Sequence, residues 1–227
     1  MKKTLLAALL IISSVAAFAQ KEPGTVTVYP KVGINLSKYS GDQILTGIGS
    51  PEGSVSKESE MKCGFSAGVD FRYRVSDNYG LSAGLVYANL GNRFEFSDMP
   101  EYDMKKWSTD NRYLQLPIMM QAFVVKGLSV NVGIQPAVLL ASHTTTEWVF
   151  TTEDKRTTTA TTHASSKDWY KTFEFSIPLG VSYEYRNLLF DLCYHLGLMG
   201  IYKFGGMVNG SPKISAFTFS VAYGLDL

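Results

Sequence analysis

Between Lys171 and Gly200, apolar and polar side chains change places at almost every step. Phe173, Phe175, Ile177, Leu179, Val181, Tyr183 and Tyr185 alternate with Glu174, Ser176, Pro178, Gly180, Ser182 and Glu184. A period of two predicts a strand with one oily and one polar face. Arg186-Asn187 makes a two-residue turn, after which Leu188, Phe190, Leu192, Tyr194, Leu196 and Leu198 alternate with Leu189, Asp191, Cys193, His195 and Gly197. That turn predicts a register with Tyr185 opposite Leu188, Val181 opposite Leu192, Ser182 opposite Asp191 and Pro178 opposite His195. The polar face carries small residues and isolated charges, as a narrow interior would. An oily outer face around such an interior describes a transmembrane β-barrel.

The same alternation recurs along the chain. It predicts strands over 25–36, 61–75, from Tyr79 to about Ala88, from Leu114 to Val124, over 128–141, and at the C-terminus from Phe217 to Leu227. With the opening hairpin these make eight. Tight turns at 76–78, 126–127 and 186–187 separate longer connections over 37–60, 91–111, 143–170 and 203–212. Long connections alternating with short turns place both termini on the periplasmic side. The threonine-rich segment 143–170 is expected to extend strands five and six as a hairpin, with its tip near Asp154-Lys155-Arg156. Pro30, Pro117, Pro136 and Pro178 fall inside strands, where local bulges are expected.

The N-terminus adds a compartment. Lys2-Lys3, an apolar run from Leu5 to Val15 and Ala17-Phe18-Ala19 read as a secretory signal peptide over 1–19, leaving a barrel domain over 20–227. Without Lys2 and Lys3 the mature chain has 19 basic and 20 acidic residues, a balance that gives no indication of nucleic-acid binding. Thirteen Tyr, thirteen Phe and twenty Gly fit a β-rich chain, and an exported chain without a membrane helix spans a bilayer only as a closed barrel. Cys63 on an oily face and Cys193 on a polar face are expected to remain two thiols.

Three short patterns carry a family resemblance: Val32-Gly33-Ile34-Asn35-Leu36, Tyr113-Leu114-Gln115-Leu116-Pro117, and Asp191 through Leu198. The chain resembles the small outer-membrane β-barrel domain proteins of Bacteroidota, the PorT-like family. Two departures are Cys193, where that family usually has arginine, and the terminal Leu227, where many such barrels end in phenylalanine. The resemblance implies an all-β, eight-stranded antiparallel up-and-down transmembrane barrel of OmpA/OmpX-like architecture in the outer membrane. As an alternative to a structural or surface-interaction role, it implies a place in a protein secretion apparatus.

The chemistry is sparse. His143, His163 and His195 lack the spacing that would give a nucleophile its base, so no catalytic, cofactor-binding or metal site is expected. A lipid-modifying enzyme and a soluble periplasmic barrel stand as rivals. Lys31, Lys62, Asp70, Arg72, Arg74, Glu174, Glu184, Asp191 and His195 project inward and form the expected structural polar network, since an eight-stranded barrel is just wide enough for side chains to fill. Tyr73, Tyr79, Tyr183, Tyr185 and Trp169 are expected at the lipid interfaces. Trp107 and Trp148 are assigned to outside loops or the upper rim. The expected partners are outer-membrane lipids and other envelope proteins, the latter through the connections 37–60, 91–111 and 143–170, with the chain a monomer.

Overall fold

The computed structural model describes residues 21–40, 43–46, 54–96, 104–151, 157–203, 208–209 and 212–227. The signal-peptide assignment and the hairpin tip at 154–156 lie outside the described residues. The strands are β1 (Val26–Ser40), β2 (Gln43–Thr46), β3 (Ser54–Lys57), β4 (Lys62–Arg74), β5 (Tyr79–Glu95), β6 (Met104–Gln115), β7 (Ile118–Val125), β8 (Leu128–Thr151), β9 (Thr157–Ser165), β10 (Phe173–Tyr185), β11 (Leu188–Gly197), β12 (Val208–Asn209), β13 (Lys213–Tyr223) and β14 (Leu225–Asp226). Antiparallel pairing runs β1–β4–β5, then to β6 and β7 in series, then β8–β10–β11–β13 and back to β1. The ring closes as an eight-stranded antiparallel barrel.

The alternation puts the apolar side chains outside. Val32, Ile34, Phe65, Leu81, Leu85, Ile134, Leu192 and Phe219 are all exposed, whereas Asn35, Ser66, Asp70, Gln121, Asn131, Gln135, Ser182 and Ser220 are buried. The β10–β11 hairpin has the register expected from its turn, with Tyr185 opposite Leu188, Ser182 opposite Asp191 and Pro178 opposite His195. Arg186 takes positive φ there, as a tight hairpin turn requires.

The strands run farther outward than the sequence reading placed them. Segment 91–111 was expected to be an irregular connection, but β5 continues to Glu95 and β6 begins at Met104. The physical reason is an exchange of faces. Along β5 the outward positions pass from Leu81, Leu85 and Tyr87 to Asn89, Arg93 and Glu95, while the inward positions pass from Gly80, Ser82 and Gly84 to Leu90, Phe94 and Phe96. Above the lipid the ribbon behaves as a water-soluble sheet, so a search for outward oil ends too early. Trp107 is accordingly buried beside Phe94 and Phe96 and is not free in a loop. Segment 37–60 also contains strand: β1 continues to Ser40, and β2 pairs with β3 and with β12 in a separate three-stranded sheet. The expected outer hairpin is formed by β8 and β9, paired from His143–Ser165 to Thr151–Thr157.

The prolines do not produce the expected bulges. Pairing stays in one register across Pro30, Pro117, Pro136 and Pro178. Pro30 interrupts the ladder on the side facing β13 and β14, between the Val28–Leu225 and Lys31–Ala222 pairs, and pairs normally with β4. A proline lacks one donor, and that donor faces only one neighbour, so the ladder lapses locally without slipping. The register shifts instead fall in the β6–β8 and β7–β8 pairings, at Met104/Lys106, Arg112/Tyr113 and Phe123/Val125.

Candidate functional site

The interior is built in layers. Near the end that carries the short turns, the Tyr29 hydroxyl donates to Glu184 Oε1 at 2.7 Å, and Lys21 Nζ lies 3.9 Å from the same oxygen. Lys21 also bonds Asp226, and that hydrogen bond holds the exposed Asp226 carboxyl below its ordinary range. Arg74 donates to the carbonyls of Ser76 and Asp77, and its guanidinium covers the Phe123 ring. In the middle, Arg72 grips both oxygens of Asp191 at 3.0 and 3.1 Å, and Lys31 meets Asp70 at 2.7 Å. Ser182 links Asp191 to Asn131. Lys62 reaches Asp110 at 2.5 Å, a partner hidden from sequence reasoning because Asp110 was assigned to a connection.

Not every inward charge has an ionic partner. Glu174 Oε1 and His195 Nδ1 are buried and make no hydrogen bond among the described residues. Glu174 lies on β10 below the aromatic closure. His195 lines a cavity of about 50 Å³ with Lys31, Asp70, Arg72, Asp191 and Cys193. That volume suits a few waters bridging polar walls, and is too small for an organic ligand.

The outer end is shut by packed rings. Tyr39, Tyr113 and Tyr170 are almost completely buried with Leu90, Leu139, Ile201 and Ile214, and Tyr202 packs against them. Tyr170 and Tyr202 rings lie 5.0 Å apart, and each also meets Tyr39. Backbone bonds from Lys171 to Ile201, Ile201 to Pro212 and Lys203 to Trp169 tie the two segments across the mouth. Sequence reasoning missed this closure. Its signal was the change from Asn35 and Ser37 to Tyr39 on one inward face.

On the surface, Tyr73 and Tyr79 are exposed at the short-turn end, Tyr183 and Tyr185 are half-buried, and Trp169 is exposed in a single 3-10 turn over Lys167–Trp169. Cys63 is exposed, Cys193 is half-buried, and both are free thiols. The histidines do not converge. His163 Nδ1 lies 3.0 Å from Thr145 Oγ1 across the exposed hairpin, and the neighbouring carboxylate of Glu147 pairs with Lys106.

Several solved outer-membrane barrels are similar to this chain over most of its length. The Neisserial surface protein A shares 13% identity, with 86% of this chain and 96% of that one covered and a TM-score of 0.48. The attachment invasion locus protein Ail of Yersinia pestis shares 11%, covering 90% and 100% with a TM-score of 0.44. OprG of Pseudomonas aeruginosa shares 12%, covering 91% and 97% with a TM-score of 0.41. No curated protein matches the sequence. The outer membrane protein beta-barrel domain family matches residues 18–203, and with that span taking in most of the barrel the chain belongs to this family.

Proposed function

We propose that this protein is a non-catalytic, monomeric outer-membrane barrel, exported by a signal peptide cleaved after Ala19, that engages other envelope or surface proteins through its outer β-ribbon. The observation that carries the reading is the β8–β9 hairpin. β9 pairs with β8 and with no other strand among the described residues, so nine residues from Thr157 to Ser165 offer one unpaired backbone edge. Such an edge accepts an extended segment of another protein by strand addition. A plugged interior supports an interactive role over a channel, because the Arg72–Asp191 layer and the tyrosine closure both fill the lumen. The inward charges serve the barrel itself in this reading.

The test is a mild-detergent pull-down of the tagged protein from its own outer membrane, in parallel with a Thr159→Lys/Thr161→Lys variant that charges the edge strand. The expected result is a stoichiometric protein partner recovered with wild type and lost with the variant. Recovery of the barrel with lipid alone overturns the interactive role. Recovery of secretion-machine subunits identifies the partner class that the PorT-like resemblance implies.

A further inference from the structure

The interior cavity holds little more than water, but the outer surface has a larger concavity. A groove of about 240 Å³ lies on the outward faces of β1, β11 and β13 and is lined by Leu36, Lys38, Ser40, Met61, Tyr194, Ser215 and Phe217. Its position along the membrane normal follows from strand register. Leu36 pairs with Phe217, Lys38 with Ser215, and Ser40 with Lys213, so one step along the outward face takes the wall from apolar to cationic. Tyr194 lies opposite Phe217, and their rings are 4.7 Å apart. The floor therefore sits at the level of acyl chains, while Lys38, Ser40, Ser215 and Lys213 sit at the outer boundary.

The two lysines differ in their partners. Lys38 Nζ donates to Glu58 Oε1 at 2.9 Å, which leaves two of its three N–H groups for another acceptor. Lys213, two residues above Ser215, is exposed at the edge of the groove, outside its lining, with no ion-pair partner among the described residues. Ser40 Oγ already donates to the Lys213 carbonyl at 3.1 Å, so two ammonium groups and the Ser215 hydroxyl above an apolar trough remain to complement a phosphate carried on an acyl chain. A neutral lipid would satisfy the trough and offer Lys213 no matching charge, and a zwitterionic one would bring its own cation beside its phosphate.

We propose that this groove binds one anionic phospholipid of the outer leaflet, with an acyl chain against Leu36, Tyr194 and Phe217 and its phosphate between Lys38 and Lys213. The site rests on the barrel spanning the outer membrane, and it is separate from the β9 edge. Native mass spectrometry of the full mature protein in detergent, titrated with dioleoyl phosphatidic acid or dioleoyl phosphatidylcholine, provides the test. Wild type is expected to retain phosphatidic acid about tenfold more tightly, as two surface cations near a lipid phosphate allow. Lys38→Gln/Lys213→Gln should abolish that preference, while Lys126→Gln, at the opposite end of the barrel, should preserve it. Equal retention of the two lipids, or a preference that survives the double substitution, overturns the proposal. An inorganic phosphate adduct as tight as the phosphatidic acid adduct would overturn the assignment to a lipid. Each variant is checked for heat-modifiable gel mobility. Its absence in wild type would strike the membrane-spanning reading and the lipid site together, whereas its presence without lipid preference would strike the site alone.

Discussion

Arg72→Met should destabilise the barrel by about 3 kcal/mol, toward the lower end of the range for breaking a buried ion pair. The substitution removes both hydrogen bonds from the guanidinium to Asp191 and the stacking of that group over the Tyr29 ring, whose centroid is 5.2 Å away. Charge-assisted hydrogen bonds contribute roughly 1.5–3 kcal/mol each, and a cation over an aromatic ring about 1 kcal/mol. Against this, both side chains keep 12% of their surface accessible, and Ser182 still donates to Asp191, so the stranded carboxylate is partly solvated. Asp191→Asn should cost a similar amount by stranding the guanidinium. Because both losses belong to one pair, Arg72→Met/Asp191→Asn should also lose about 3 kcal/mol, far less than the roughly 6 of two independent changes. Urea unfolding in lipid vesicles, followed by tryptophan fluorescence and gel mobility, measures all four proteins. A double variant that loses the sum of the two singles would refute the claim that Arg72 and Asp191 act as a unit.

Gly133 faces the backbone of Ile118 and Met119 where β7 and β8 approach, so Gly133→Ala should lower the urea midpoint by an amount equivalent to about 1–3 kcal/mol. Gly180→Ala meets looser neighbours, Leu192 O at 3.0 Å and Cys193 Sγ at 3.3 Å, and should cost less in the same assay. Lys21 holds the Asp226 carboxyl below its ordinary range, so that pair contributes stability above about pH 4 and loses it as pH falls through the folded-state value. Asp226→Asn should flatten this acid limb by only a few tenths of a kcal/mol, because the carboxyl is 54% exposed; an unchanged pH profile of unfolding would count against the pair. In vesicles, a membrane-permeant maleimide should label lipid-facing Cys63 and spare inward Cys193, while a water-soluble maleimide labels neither until urea unfolds the chain. Labelling of Cys63 by the water-soluble reagent in the folded state would place β4 out of the bilayer.

The membrane-embedded half of this fold was legible because lipid imposes one rule on every strand. Phe173 through Tyr185 and Leu188 through Leu198 obey it without interruption, and the two-residue turn between them left no freedom of register. The outer half was less legible because the solvent changes there without any break in the chain. Leu90, Phe94, Phe96 and Trp107 look like misplaced oil when read by the lipid rule, and they become a core once β5 and β6 are seen to pair as far as Glu95 and Lys106. The prolines misled for a different reason. A missing donor affects one side of a strand, and sequence does not show whether the other neighbour suffices to hold register. Of the inward charges, Lys31 and Asp70 meet across the paired strands β1 and β4, whereas Arg72 and Asp191, 119 positions apart, join β4 to β11, and that pairing followed from barrel closure and from no local spacing.

The exchange of faces along β1 and β5 also works as a depth gauge. Between Leu36 and Lys38, and between Tyr87 and Asn89, a strand changes the solvent for which its outward side is suited within a single two-residue step. Moving the barrel outward by that step, about 7 Å along a tilted strand and about 5 Å along the membrane normal, would lift a ring of leucine and aromatic side chains into water. Moving it inward by the same distance would drag lysine and asparagine into hydrocarbon. The vertical position of the protein is therefore written into its strands in ink of two colours, and the aromatic closure stands at the line where they meet. Whatever touches the outer ribbon meets it at a height above the bilayer that the barrel itself has set.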